Sequence, residues 1–79
     1  MNTVEASAAV RAVLREVAPD ADLDTLAPDA DLRDSLELDS LDFLRMVELL
    51  SQRSGHDIRE DEYPKLATLA STVDFIAGR

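Results

Sequence analysis

Residues 39–55, with the sequence DSLDFLRMVELLSQRSG, carry the clearest structural signal in the chain. Their apolar side chains recur at i, i+3, i+4 and i+7, a spacing that places them on one face of a helix. These side chains are Phe43, Met46, Val47 and Leu50. Asp39 is a suitable N-cap because its carboxylate can accept hydrogen bonds from backbone N–H groups one turn later. Gly55 is a natural C-terminal stop, so the pattern predicts a helix over residues 40–54.

The segment before residue 18 predicts another helix with one apolar face. Asn2 can cap it, Glu5 stands three residues later in the capping-box position, and Pro19 ends it. The apolar face consists of Ala6, Ala9, Val10, Val13, Leu14 and Val17.

Residues 19–38 predict a long loop, because they contain two prolines and five aspartates before residue 32. A loop of this length is unusual in a compact domain and is often functional. Five leucines along it indicate that it is pinned to the core. They are Leu23, Leu26, Leu32, Leu36 and Leu38.

The C-terminal third predicts a short acidic helical turn at residues 59–63, cut by Pro64, and then a last helix capped by Thr68. Leu69, Val73 and Ile76 lie on one face of that helix, and no strand-like alternation is present. We therefore expect one all-α domain over residues 1–79. It is a small four-helix bundle of three main helices and one short helix, with a long loop between helices one and two.

Composition and charge exclude several classes of protein. The chain has 79 residues, a formal net charge of −9 and no cysteine. This acidity argues against nucleic acid as a partner, and without cysteine the chain has no disulfide and no thiol of its own. No apolar run approaches the roughly 20 residues that span a bilayer. The first five residues lack the features of a signal peptide. We expect a cytoplasmic protein that is a monomer when alone.

The acidic residues are unevenly distributed. Residues 18–39 carry eight acidic side chains and Arg33, a net charge of −7, whereas residues 40–54 carry two acids and two bases and are neutral.

Ser40 is the most informative residue, because it places a hydroxyl at the first turn of an amphipathic helix. An anion attached there would gain from free N–H groups and from the helix dipole, although a serine at this point is most often only a helix start. Serine catalysis would need a base. The single histidine, His56, lies sixteen positions away, on the order of 20 Å along a helix. We predict no catalytic residue.

The aspartates of the predicted loop partly match a calcium-binding loop. Asp20, Asp22 and Asp24 have the right spacing, but Thr25 replaces the required glycine and Asp31 the closing glutamate. We predict no specific metal site.

Two leucines, Leu41 and Leu44, point away from the apolar face of the second helix. They form either a small docking surface beside Ser40 or a surface that the long loop covers.

The run from Leu36 to Asp42, which contains Asp39-Ser40-Leu41 at the head of the second helix, resembles the acyl carrier protein family. The similarity extends over essentially the whole chain, including residues 57–69.

The resemblance implies a free-standing, non-catalytic carrier. In such a carrier a phosphopantetheinyl transferase moves 4′-phosphopantetheine from coenzyme A to Ser40, between Asp39 and Leu41. The thiol of that arm carries acyl groups as thioesters. Further partners would be an acyl-loading ligase or acyltransferase and a ketosynthase. The implied partner-recognition residues are Asp39, Leu41, Asp42, Leu44, Arg45 and Glu48. The implied acyl-pocket residues are Phe43, Met46, Val47, Leu50, Ile58, Tyr63, Leu66 and Leu69.

The sequence departs from the family pattern at several positions. The glycine usual three residues before the serine is absent, and Glu37 and Leu38 occupy that stretch. The second helix, usually acidic, is neutral here, with Arg45 where an acid is common. This favours a specialised pathway, such as polyketide or modified fatty acid biosynthesis, over housekeeping fatty-acid synthesis. The alternative is a small acidic interaction or regulatory domain in which Ser40 is only a helix cap.

Overall fold

The computed structural model describes residues 1–78, and its regular elements are helical. Three long α-helices are α1 (Thr3–Val17), α3 (Ser40–Ser54) and α4 (Leu69–Ala77), and a short one is α2 (Leu32–Ser35). Two 3-10 helices span Leu23–Thr25 and Glu60–Leu66. The predicted all-α bundle is confirmed, and within residues 1–78 the β-pairing is one isolated bridge.

The helix boundaries follow from local capping. The side chain of Asn2 accepts a hydrogen bond from the N–H of Glu5 at 2.8 Å, and Asp39 accepts one from Asp42 at the same distance. Both starts are complete capping boxes, which satisfy N–H groups that have no partner within the helix. Gly55 ends α3 in the left-handed region with φ of 74°. The predicted bounds of 40–54 are therefore confirmed.

The core forms where α1 packs against α3 and α4. Leu14, Met46 and Ile76, one from each of these helices, are almost fully buried. The predicted apolar faces of the first and second helices are thus confirmed. Thr72 of α4 is also fully buried, which the apolar pattern did not predict. Its hydroxyl donates to the carbonyl of Thr68 at 2.7 Å, so its polar atom is satisfied without water.

The long loop predicted over residues 19–38 also contains two short helical elements that the sequence pattern did not predict, the first 3-10 helix and α2. Asp22 and Asp31 each start a turn by accepting a hydrogen bond from a backbone N–H two or three residues later. The N–H of Leu32 also donates to the carbonyl of Ala67 at 2.8 Å, which holds this stretch against the residues before α4. We call residues 18–39 the connection.

The leucines of the connection anchor it as predicted. Three of them, Leu23, Leu32 and Leu38, are buried, and Leu26 and Leu36 pack partly buried against the same core. The acidic side chains between them remain at the surface.

The predicted short helix at 59–63 is also corrected, because the second 3-10 helix continues through Pro64 to Leu66. The φ of proline suits a 3-10 helix, so the ring costs one hydrogen bond without forcing a break. Leu66 is fully buried and fixes the end of this helix on the core. None of the helices in residues 1–78 has the length and apolar character needed to cross a membrane.

Candidate functional site

Ser40 is the first residue of α3, and its side chain is exposed. The N-cap is Asp39, whose carboxylate takes the N–H of Asp42. Within residues 1–78 the Ser40 hydroxyl forms no hydrogen bond, and the N–H groups of Ser40 and Leu41 have no acceptor. The side chain that caps α3 is therefore that of Asp39, not that of Ser40. The helix start instead presents a free hydroxyl beside two free donors, an arrangement that suits an esterified anion.

The outward face of α3 carries four exposed side chains at i, i+3, i+4 and i+7. We call this set the outer stripe: Leu41, Leu44, Arg45 and Glu48. Leu41 is 77% exposed and Leu44 is 49% exposed, so the connection does not pack over them. Exposed large apolar side chains that lie together make this stripe a candidate docking surface.

The two basic residues of α3 differ in their surroundings. Arg53 lies 3.9 Å from Glu16 of α1 and is half exposed, whereas Arg45 forms no ion pair with any residue in 1–78. Arg45 therefore leaves its charge available to a partner.

Two of the predicted recognition residues are partly engaged within the protein. Asp39 and Asp42 exchange the two bonds of the capping box, at 2.8 Å and 3.5 Å. Asp42 is also half buried. The structure thus separates these two carboxylates, which hold the start of α3, from the outer stripe.

The predicted acyl-pocket residues are brought together. Seven of them are buried in the core, namely Phe43, Met46, Val47, Leu50, Ile58, Leu66 and Leu69, and Tyr63 packs half buried against it. The rings of Phe43 and Tyr63 meet edge to face with centroids 5.4 Å apart, which joins α3 to the second 3-10 helix. These side chains fill the space between the helices.

Open surface grooves lie elsewhere on the molecule. One of about 550 Å³ runs between the second 3-10 helix and α4, and two of about 380 Å³ run along the connection. None of the predicted pocket side chains lines these three grooves.

Two residues near Ser40 have structural features that the sequence-based prediction did not assign to them. The guanidinium of Arg33 lies over the ring of Phe43, 5.1 Å from its centroid. Glu37 adopts a φ of +53°, which costs a residue with a side chain roughly 1–2 kcal/mol. The sequence held a signal for each: Arg33 is the only base in the connection, and Glu37 stands where the resemblance stated above implies a glycine.

The other candidate chemistries find no support in the geometry. His56 is exposed beyond Gly55, at the opposite end of α3 from Ser40. Within residues 1–78, no group of three or more histidine, aspartate and glutamate side chains is placed to hold a metal ion. In the partial calcium-loop match, Asp22 instead caps the first 3-10 helix.

Comparison with known protein families gives a match over most of the chain. A family model described as "Phosphopantetheine attachment site" matches residues 8–76, which include all of α3. A search of curated proteins found no match. The matched family carries covalently attached 4′-phosphopantetheine.

Proposed function

The chain belongs to the phosphopantetheine attachment-site family, and we propose that it is an acyl carrier protein whose cofactor is esterified to Ser40. Carrier domains of this family are not catalysts, and they act with a phosphopantetheinyl transferase and with acyl-processing enzymes. The observation that carries the proposal is the exposed Ser40 hydroxyl, free of hydrogen bonds within residues 1–78 and standing at the head of a capped helix. We expect the protein to act in the cytoplasm.

The site suits the phosphate of the cofactor. In the transfer, the hydroxyl oxygen of Ser40 forms the new phosphoester bond and the pyrophosphate bond of coenzyme A breaks. Adenosine 3′,5′-bisphosphate leaves, and the hydroxyl proton passes to a base on the transferase. The free N–H groups of Ser40 and Leu41, at the positive end of the α3 dipole, would stabilise the resulting phosphodiester.

Because the chain has no cysteine, the cofactor would have to supply the thiol that carries the acyl group. The chain has no thiol of its own, so the only thiol available to form a thioester is that of the pantetheine arm. Acyl groups on that arm could bind among the apolar side chains of the core between α3 and the second 3-10 helix. Because the candidate pocket side chains fill this space, an acyl chain would enter only if Phe43 and its neighbours moved.

The outer stripe is the proposed contact surface for partner enzymes. Its two leucines offer apolar area, and Arg45 offers a charge that no carboxylate in residues 1–78 neutralises. A neutral helix with a free cation suits partners with an acidic or mixed surface better than the basic surfaces that acidic carriers meet. This supports a specialised pathway, polyketide or modified fatty acid biosynthesis, over housekeeping fatty-acid synthesis.

Mass spectrometry tests the attachment site. The purified chain, incubated with coenzyme A and a broad-range phosphopantetheinyl transferase, should gain the mass of one phosphopantetheine. Ser40→Ala should gain none. An unmodified wild-type chain, or an equal gain on Ser40→Ala, would falsify the proposal.

Charge reversal on α3 tests the partner surface. Arg45→Glu should slow acyl transfer with the native ketosynthase or acyltransferase about tenfold, the equivalent of about 1.4 kcal/mol. It should speed transfer with fatty-acid synthesis enzymes. Arg53→Glu is the matched control, since Arg53 already faces Glu16 and should change these rates less. Equal rates for wild type and Arg45→Glu with both sets of enzymes would exclude this role.

A further inference from the structure

Arg33 is the single base of the connection, and it lies next to the start of α3. Its backbone carbonyl accepts a hydrogen bond at 2.9 Å from the N–H of Leu38, two residues before Ser40. Its guanidinium carbon lies 5.1 Å from the ring centroid of Phe43. Backbone and side chain are therefore both held near the first turn of α3.

The ring of Phe43 brings this cation to the same side of α3 as Ser40. Residues three apart in a helix are surface neighbours, with Cβ atoms about 5–6 Å apart. Helical side chains also lean toward the N-terminus, so the Phe43 ring lies over the turn that Ser40 begins. From this geometry we infer that the Arg33 guanidinium lies within about one helical turn of the Ser40 hydroxyl.

The guanidinium is available to bind an anion. Arg33 is exposed, and its side chain forms no ion pair with a carboxylate of residues 1–78, although the connection carries eight acidic side chains. A cation–π contact uses the face of the ring and does not occupy the five N–H donors, whose fork matches the oxygens of a phosphate.

We propose that Arg33 is a positioning residue for the cofactor. Its guanidinium pairs with the phosphodiester on Ser40, and its contact with Phe43 keeps the pantetheine arm on the side of α3 that faces Tyr63. The outer stripe, which lies on another face of the helix, then remains free for partners. This inference rests on the proposed attachment at Ser40.

The direct test uses the wild-type chain and needs no substitution. The ¹⁵N-labelled protein is compared before and after loading with phosphopantetheine, and mass spectrometry confirms complete conversion at Ser40. The side-chain Nε–H resonance of Arg33 should shift on loading. The shift should shrink as NaCl rises from about 20 mM to about 500 mM, because salt screens an exposed ion pair. Arg15, exposed on α1, is the internal control and should not shift.

Substitutions then separate charge from packing. The ³¹P resonance of the loaded wild-type chain should depend on salt. This dependence should be lost in Arg33→Gln, partly kept in Arg33→Lys and unchanged in Arg15→Gln. Circular dichroism checks that each variant is folded.

The outcomes distinguish the two proposals. A chain that takes up no phosphopantetheine contradicts the proposed function. A fully loaded chain whose Arg33 resonance stays in place, with the same ³¹P behaviour in wild type and Arg33→Gln, overturns this inference alone. Arg33 would then serve only to cover Phe43.

Discussion

The helices α1 and α3 begin alike. Each has 15 residues and a complete capping box, and each cap accepts an N–H at 2.8 Å. The first residue of each carries a hydroxyl, Thr3 in α1 and Ser40 in α3. The second is apolar and strongly exposed, at 79% for Val4 and 77% for Leu41.

The two starts differ in what surrounds them. The fourth residue of α1 is Ala6, buried without a ring, whereas that of α3 is Phe43, which contacts Tyr63 and Arg33. A further exposed leucine, Leu44, follows in α3. The same cap, hydroxyl and exposed apolar residue thus form an ordinary helix start in α1 and a candidate attachment site in α3. The difference comes from neighbours that are distant in sequence.

The largest expected effect comes from moving the serine from the start of α3 to the start of α1. The double variant Thr3→Ser/Ser40→Ala carries a serine at the first position of a capped helix in α1 but none in α3. We expect no phosphopantetheine on it, because α1 lacks the surroundings of α3, and full modification of Thr3→Ser alone. Mass spectrometry measures the mass gain of both variants. Modification of the double variant would show that a serine at any capped helix start is sufficient for attachment of phosphopantetheine.

The next largest effect is expected from substitutions of leucine on the buried and the exposed face of α3. Leu50→Ala should lower the free energy of unfolding by about 2–5 kcal/mol, since it leaves a cavity in the core. Leu14→Ala on α1 should cost a similar amount. Leu41→Ala should change stability by less than about 0.5 kcal/mol because its side chain is exposed, yet it should slow acyl transfer to partner enzymes. Urea unfolding and transfer rates measure the contrast. A large loss of stability in Leu41→Ala would show that the residue is structural.

Removing the N-cap of α1 or of α3 should have a smaller effect on stability, and the effect should be similar for the two helices. Asn2→Ala and Asp39→Ala each remove one capping bond and should each cost about 1 kcal/mol. Thermal or urea unfolding measures both values. A much larger cost for Asp39→Ala would mean that its carboxylate also supports the turn at Glu37.

The smallest expected effect concerns the chain just before α3. Glu37→Gly should raise the free energy of unfolding by up to about 1 kcal/mol, because glycine adopts a positive φ without strain. Part of that gain is offset by the greater freedom of glycine in the unfolded state. Glu37→Ala keeps the strain and is the control. Equal stability of the two variants would show that the φ of +53° is not costly here.

The comparison also shows which parts of the molecule local sequence specifies. The bounds of α3, the capping box at Asn2, the N-cap at Asp39 and the apolar faces were predicted correctly, because caps and periodicity act over three to seven neighbouring residues. Ser40 was singled out for the same reason, and its modification stays a prediction. The turns inside the connection were missed, since their leucines bury only against helices formed elsewhere in the chain.

Sequence alone was enough to establish where the three long helices begin, where α1 and α3 end, and which face of each helix is apolar. It could not establish that Leu44 stays uncovered, that Arg53 faces Glu16 while Arg45 faces no carboxylate in residues 1–78, or that Arg33 lies over Phe43. Exposure, ion pairing and cation–π contact depend on distances between elements far apart in the chain. Those distances exist only once α1, α3, α4 and the connection have packed around one core.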